Sequence, residues 1–276
     1  MNYQEILPSD LLKPFIHVYA IIDENMAFNQ PLLTQIPPGL GTAIIFFSKK
    51  ETRISMESSR KSLEDIPSAY ILPHFDKSYK VGFGGVMTFI AVIFRPGKLR
   101  KLFNLSMNNI INRLFSFDEL NLPELKMIYA EIQKEHNNNA KVALLTSFFE
   151  KKLNHDSFST DLVDQIITEM LTFPGLHIND LAEKLNKSER QIRRAFKEGM
   201  GITPKTFQKI VRINNAIRLI HSDKAMKLTE IAYEAGYFDH SHFNAEFRAF
   251  IGKSPKVYVK NNNLFVDIFH WREEVG

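Results

Sequence analysis

The stretch from Leu171 to Tyr258 constrains this chain more than any other, because a helix-turn-helix pattern occurs in it twice. The first copy reads Ile178-Asn179-Asp180-Leu181-Ala182-Glu183-Lys184-Leu185, then Asn186-Lys187-Ser188, then Glu189-Arg190-Gln191-Ile192-Arg193-Arg194-Ala195-Phe196. Apolar residues at 178, 181, 182 and 185 share one helical face, and those at 192, 195 and 196 form a second face after a short break. Ala182 is small, as a tight helix crossing requires, and Asn186 tolerates the left-handed conformation that ends a helix. Ser188 is a natural N-cap for the second helix. Fifty residues on, Lys227-Leu228-Thr229-Glu230-Ile231-Ala232-Tyr233-Glu234-Ala235 repeats the arrangement, with Gly236 at the turn and Phe243, Phe247 and Phe250 as the next packing face. Ala182 corresponds to Ala232. The second turn is one residue longer, since ten positions separate Ala182 from Ile192 and eleven separate Ala232 from Phe243.

Thr203-Pro204, a cap followed by proline at the first helical position, opens the connecting helix. Its apolar stripe of Phe207, Ile210, Val211, Ala216, Ile217 and Ile220 runs to about Ser222. Such a helix is roughly 30 Å long, close to the roughly 34 Å between successive major-groove faces of B-DNA. One chain can thus present two recognition helices to adjacent grooves.

The 276 residues fit two domains at about 100 to 200 residues each. The expected division is a β-rich domain over 1–120, a helical linker or dimerisation region over 121–156, the tandem helix-turn-helix domain over 157–260 and a tail over 261–276. No run of eighteen apolar residues is present, and Met1 to Lys13 lacks a basic segment followed by an apolar one. A cytoplasmic protein with no membrane partner is the simple expectation. Zero cysteine excludes disulfides, thiolate metal sites and cysteine nucleophiles. The net charge is only +4, but Thr172 to Lys260 holds 16 Lys and Arg against 9 Asp and Glu, and the remainder holds 19 against 22. The basic excess therefore lies on the helix-turn-helix half, where an electrostatic footprint on phosphate belongs.

The N-terminal region reads as β structure. After Ser9, the residues Leu11, Leu12, Phe15, Ile16 and Tyr19 predict a short helix or a helix-to-strand passage. Pro37-Pro38-Gly39-Leu40-Gly41 is a turn ahead of a strand at Thr42 to Phe47, and Tyr70-Ile71-Leu72 is a strand before Pro73. Gly84-Gly85 between Tyr79 to Phe83 and Val86 to Phe94 predicts a hairpin. Strands at this spacing predict a barrel or sandwich. Lys98 to Asn104 predicts a short helix, and two amphipathic helices come next at about Glu124 to Lys134 and Lys141 to Leu153, packed on the barrel or on a second protomer. The segment Asn154 to Ser159 is the expected hinge, with Asp161 to Leu171 as the first helix beyond it. The fold class is α+β, an N-terminal β-barrel with flanking helices and an all-α C-terminal domain.

Residues 171–259 resemble the AraC/XylS family of bacterial transcription regulators. The resemblance is carried by Leu181-Ala182, Ser188, Ile192, Arg194, Phe196, Gly201 and Pro204, then by Ile231-Ala232, Gly236-Tyr237, Ser241, Phe243, Phe247, Gly252, Pro255 and Tyr258. Leu12 to Tyr19, Pro37-Pro38-Gly39 and Phe94-Arg95-Pro96-Gly97 look like a cupin-like sensor domain found in one branch of that family. The resemblance implies a sequence-specific transcription regulator, an activator or a repressor according to promoter position, whose partners are double-stranded DNA, RNA polymerase and, through the N-terminal domain, a small-molecule effector or a second copy of the chain.

In the first recognition helix Arg190, Gln191, Arg193 and Arg194 are the expected base readers, since arginine forks pair with guanine and glutamine with adenine. Lys187 and Lys197 stand nearer phosphate, and Ser188 is a further expected DNA contact. The matching positions of the second helix are His240, Ser241, His242 and Asn244, with Arg248 one turn on. Two departures from the family stand out: Ala245, where a long basic side chain is usual, and Lys187 in an apolar slot. The bland readings are an Arg194 to Glu198 pair at i,i+4, and helix-end polar residues rather than metal ligands at His240 and His242. His17 and His74 are solitary, so no metal is expected; no cofactor is expected, Gly82-Phe83-Gly84-Gly85 is no phosphate loop, and no catalytic residue is evident. The alternative function is a ligand-binding or interaction protein with weak, non-specific DNA contact.

Overall fold

The computed structural model describes residues 2–26, 32–48, 53–58, 61–65, 68–155, 158–222 and 226–260. The N-terminal part holds β1 (Asn2–Ile6), β2 (Ile16–Met26), β3 (Leu32–Ile36), β4 (Ala43–Phe47), β5 (Arg53–Ser58), β6 (Lys61–Asp65), β7 (Ala69–Leu72) and β8 (Tyr79–Phe94). Its main path runs β1-β2-β8-β4-β7, with β3 and β5 on the first half of β8 and β6 on β5. The described pairings leave β1 and β7 at the two ends of the path, so the sheet is cupin-like in layout without closing into a ring.

The hairpin expected at Gly84-Gly85 is not formed. The chain continues through both glycines as one strand of 16 residues. Lys80 to Gly84 pair with β5, whereas Gly85 to Phe94 pair with β2. The glycines thus mark the point where one long strand passes from one sheet to another. Interior glycines of a strand mark such bends because they lack a Cβ that would oppose them. Of the short helix or helix-to-strand passage expected after Ser9, it is a passage by way of a turn that forms. The Ser9 carbonyl accepts from the amides of Leu12 and Lys13 in a turn that leads into β2.

Strand alternation builds two cores from one sheet. Tyr19, Ile21, Ile44, Phe46, Ile90 and Val92 face outward onto helices, while Ala20, Ile22, Ile45, Phe47, Phe89 and Ala91 face inward. Burial on both faces explains the unbroken apolar run of β4. The covering helices are α1 (Lys98–Phe103), α2 (Pro123–Lys134) and α3 (Asn138–His155), with a 3₁₀ turn at Met107–Asn109. Leu125, Ile128, Ile132, Val142, Leu145 and Phe149 of α2 and α3 pack on this sheet. Phe149 stands edge-on to Phe94 at 5.5 Å between ring centroids.

The C-terminal part is helical throughout: α4 (Leu162–Thr172), α5 (Ile178–Lys184), α6 (Glu189–Met200), α7 (Pro204–Ser222), α8 (Leu228–Glu234), α9 (His240–Ile251) and α10 (Pro255–Lys260). One core runs through it, from Ile166 and Leu181 through Phe196, Phe207 and Ile213 to Phe243 and Phe247. The predicted tail from Asn261 onward lies outside the described residues.

Polar and apolar contacts tie the two parts together. Lys98, Arg100 and Lys101 of α1 meet the acidic first turn of α4. Lys98 Nζ lies 2.9 Å from Asp164 Oδ1, Arg100 Nη2 lies 2.5 Å from Asp161 Oδ2, and Lys101 pairs with Asp164. Asp161 and Asp164 also form the capping box that starts α4, so these carboxylates serve the orphan amides of the helix and the cations together. Burial alone would raise the Asp161 carboxyl, but hydrogen bonds from Arg100 and the Asp164 amide hold it below its ordinary range. Leu40 leaves the Pro37-Pro38-Gly39 turn and enters the C-terminal core, where buried Asn214 of α7 donates to the Pro38 carbonyl at 3.0 Å. The Ser78 amide donates to the Phe250 carbonyl of α9 at 3.0 Å.

Candidate nucleic-acid interface

Two helix-turn-helix units, α5-α6 and α8-α9, precede and follow α7 in the chain. Nineteen residues of α7 at 1.5 Å each give about 28 Å. The two units match in their local chemistry up to one point. Asn186 (φ 50°) and Gly236 (φ 89°) take the left-handed conformation after the first helix. In each, the following amide bonds back to the small crossing residue: Lys187 N to Ala182 O, and Tyr237 N to Ala232 O, both at 2.9 Å. The N-cap of α6 is Ser188 and that of α9 is Asp239. Lys187 therefore matches Tyr237, Ser188 matches Asp239, and Phe238 is the additional residue of the second turn. Its side chain is 89% exposed.

Along the two reading helices the same positions carry different chemistry. In α6 the capping box uses Ser188 and Gln191: the Gln191 amide donates to Ser188 Oγ at 3.3 Å, and Gln191 Oε1 accepts from the Ser188 amide at 2.9 Å. The carbonyl oxygen of Gln191 is thus engaged by the cap. Arg193 Nη2 lies 2.8 Å from Glu189 Oε2, an exposed i,i+4 pair. Arg190, Arg194 and Lys197 are exposed and make no ion pair among the described residues, so Arg194 is not held by Glu198. In α9, Asp239 Oδ1 accepts from the His242 amide at 2.8 Å. Asn244, which corresponds to Arg193, lies 2.9 Å from His240 Nδ1 and donates to the His240 carbonyl at 2.9 Å. Ser241, Ala245 and Arg248 are exposed.

The units also differ in how each helix is anchored. Position 195 is alanine in α6, while its counterpart Glu246 in α9 is a carboxylate with 4% side-chain exposure. Arg212 Nη2 of α7 lies 2.8 Å from Glu246 Oε1, with Lys209 at 3.4 Å and His242 at 3.6 Å from Oε2. Arg212 also stands over the Tyr237 ring at 5.1 Å, and burial next to Glu246 raises the Tyr237 hydroxyl. This network fixes α9 on α7. Helix α6 is held instead by its far end, where Gly201 (φ 74°) lies so close to the N-terminal part that a Cβ would meet Ile111 Cγ2 and the Met107 carbonyl oxygen at 2.4 Å each.

Sequence reasoning found the reading helices, the Ser188 cap and the apolar faces, but not the Asp239 cap, the inserted Phe238 or the buried Glu246. The extra residue in the turn was visible, but its location needed the caps. Glu246 falls on the same helical face as Phe243, Phe247 and Phe250, three and four positions apart, and a carboxylate there is the available signal. Lys187 is solvent-exposed, whereas its counterpart Tyr237 in the second copy is buried.

Away from this face, a cavity of about 40 Å³ opens among His17, Gly39, Leu40, Thr42, Phe75 and Tyr79 at the mouth of the sheet beside α7. The Thr42 hydroxyl is buried with no hydrogen-bond partner among the described residues. Burial, with Arg95 adding to it, lowers His17 to about 4, and burial lowers His74, beside the Gly39 backbone, to about 4. Both imidazoles are therefore neutral near pH 7. No group of three or more His, Cys, Asp or Glu among the described residues is placed to hold a metal ion, and no described helix is long and apolar enough to cross a membrane.

Comparison with known proteins agrees with this geometry. A helix-turn-helix domain model matches residues 181–261, and a domain of unknown function (DUF6597) matches residues 4–116. The transcriptional regulatory protein HptR of Staphylococcus aureus is 25% identical over 138 residues, covering 49% of this chain and 53% of that protein. The HTH-type transcriptional activator RhaS of Citrobacter koseri is 35% identical over 77 residues, 28% of this chain and 27% of that protein. The chain thus spans about half the length of the curated relatives it matches first. A crystal structure of ToxT from Vibrio cholerae shares the overall fold, with a TM-score of 0.52 at 14% identity over 88% of this chain and 98% of ToxT.

Proposed function

We propose that this protein is a sequence-specific, double-stranded-DNA-binding transcription regulator acting in the cytoplasm, with α6 and α9 in successive major grooves. The observation that carries the proposal is the occurrence of two capped helices in two helix-turn-helix units joined through one helix of about 28 Å, each with its leading end exposed. Recognition helices of this motif meet base edges with their N-terminal residues. Arg190, Arg193 and Arg194 are the proposed base readers of α6, with the amide group of Gln191 beside them and Ser188 and Lys197 towards phosphate. In α9 the proposed contacts are His240, Ser241, His242 and Asn244, with Arg248 towards phosphate.

The cavity at the mouth of the sheet is the proposed effector site. ToxT, of like fold, has been crystallised bound to (E)-4-(8-methylnaphthalen-1-yl)but-3-enoic acid. The cavity here has no Lys, Arg, Asp or Glu in its lining, which favours a small neutral ligand that offers one hydrogen bond to Thr42. An effector there would press on Leu40 and the Pro38 carbonyl, and so on α7.

Selection of bound duplexes from a random pool tests the reading. The expected result is a pair of boxes with centres about one helical turn apart and affinity falling steeply with salt. A flat pool at moderate salt would instead favour an interaction protein with weak, non-specific DNA contact.

A further inference from the structure

The second turn carries one more residue than the first, and that residue is the most exposed large apolar side chain among the described residues. Phe238 immediately precedes Asp239, the N-cap of α9, so its ring stands at the leading end of the helix. Nothing in the local backbone requires it. The left-handed Gly236, the Tyr237 amide bond to Ala232 and the Asp239 cap reproduce the first copy around it. Tyr237, the residue before it, is buried at 3% exposure and packs on Phe243 at 5.2 Å, so the aromatic need of the core is already met. An exposed phenylalanine in water is unfavourable, and the major groove offers an apolar partner for one. In B-DNA the thymine C5-methyl group is the apolar feature of the major-groove edge, and phenylalanine is among the side chains that contact it.

The rest of α9 fits that role. Its reading face has lost the arginines of α6: Ser241 stands for Arg190, Asn244 for Arg193 and Ala245 for Arg194. What is left favours A·T pairs, because asparagine reads adenine and small or apolar groups meet the thymine methyl. We propose that Phe238 is a specificity-determining residue of the second reader, its ring packing on a thymine methyl at the edge of the second box. The proposal rests on the DNA-binding reading above and deepens it.

The experiment uses the full chain and a duplex obtained by selection, with each thymine replaced singly by deoxyuridine, which removes only the methyl group. Binding is measured for the wild type, Phe238→Ala and Phe238→Leu. The wild type should lose about four-fold in affinity, the worth of one buried methyl group, at one or two thymines of the box that α9 contacts. Phe238→Ala should bind the thymine duplex correspondingly weakly and ignore the replacement, and Phe238→Leu should fall between. Phe238 is exposed, so neither variant should change the melting temperature.

Three results would overturn the proposal while leaving DNA binding intact. These are a second box without thymine, indifference of the wild type to every replacement, or an equal response of the wild type and Phe238→Ala. Unchanged DNA affinity of Phe238→Ala with lost promoter output would also overturn it, and would assign the ring to a protein partner. Failure of the wild type to select any duplex would overturn the DNA-binding reading itself, which is a separate and recognisable outcome.

Discussion

The two helix-turn-helix units share caps, turns and apolar faces, and both reading helices pack in one core, yet their further anchors differ. Helix α9 carries a buried carboxylate gripped by α7, whereas α6 has alanine there and ends at Gly201, pressed close against Ile111 and Met107 of the N-terminal part. The exposed faces differ too. Arginines crowd α6, and an aromatic ring, an amide and two imidazoles occupy the leading end of α9. A duplicated backbone has thus kept its frame while its anchoring and its reading chemistry diverged.

The anchoring difference is the easiest part to break. Glu246→Ala leaves Arg212 buried without its partner and should cost about 3 to 5 kcal/mol of unfolding free energy. Ala195→Gly at the matching position of α6 should cost no more than about 1 kcal/mol. Equal losses by chemical denaturation would mean that the two helices are anchored alike.

The grip on α6 is sharpened by a second pair. Gly201 and Gly252 both end their helices with positive φ, 74° and 79°. A side chain in that conformation costs roughly 1 to 2 kcal/mol, so Gly252→Ala gives the reference value. Gly201→Ala should exceed it by about 1 to 3 kcal/mol, because its Cβ runs into Ile111 and the Met107 carbonyl. Equal melting temperatures for the two variants would remove the proposed contact between α6 and the N-terminal domain.

Reading chemistry makes a smaller difference. Arg193→Ala should cost about 1 to 3 kcal/mol in binding to a selected duplex and relax one base position. Asn244→Ala, at the matching place in α9, should relax a position in the other box. Unchanged selectivity in either case would withdraw that residue from base reading. The smallest effect is expected at Glu189: Glu189→Ala frees Arg193 and should change stability by about 0.5 kcal/mol or less, measurable only as a small shift in the denaturation midpoint.

Much of this layout was legible in the sequence because local chemistry decides it. Asn186 and Gly236, Ser188, and the Thr203-Pro204 pair each set a backbone conformation or a cap that their neighbours do not override. The β region was less legible. Gly84-Gly85 has the local chemistry of a turn, but β2 and β5 supply partners on each side of the glycines, and that non-local pairing keeps the strand extended. The ties between domains were invisible for a similar reason. Asn214 and Pro38 are 176 positions apart, and no periodicity links them. Among the candidate DNA contacts, residue type and helical position were readable, while the capture of Gln191 by its own cap and of Asn244 by His240 depends on rotamers.

The most direct test is to repeat duplex selection with Arg190, Arg193 and Arg194 replaced together by alanine and to compare the result with the wild-type pool. Two unequal readers predict that one box fades to background while the other, about one helical turn away, keeps its sequence. Equal decay of both boxes, or no change in either, would contradict the division of reading between α6 and α9.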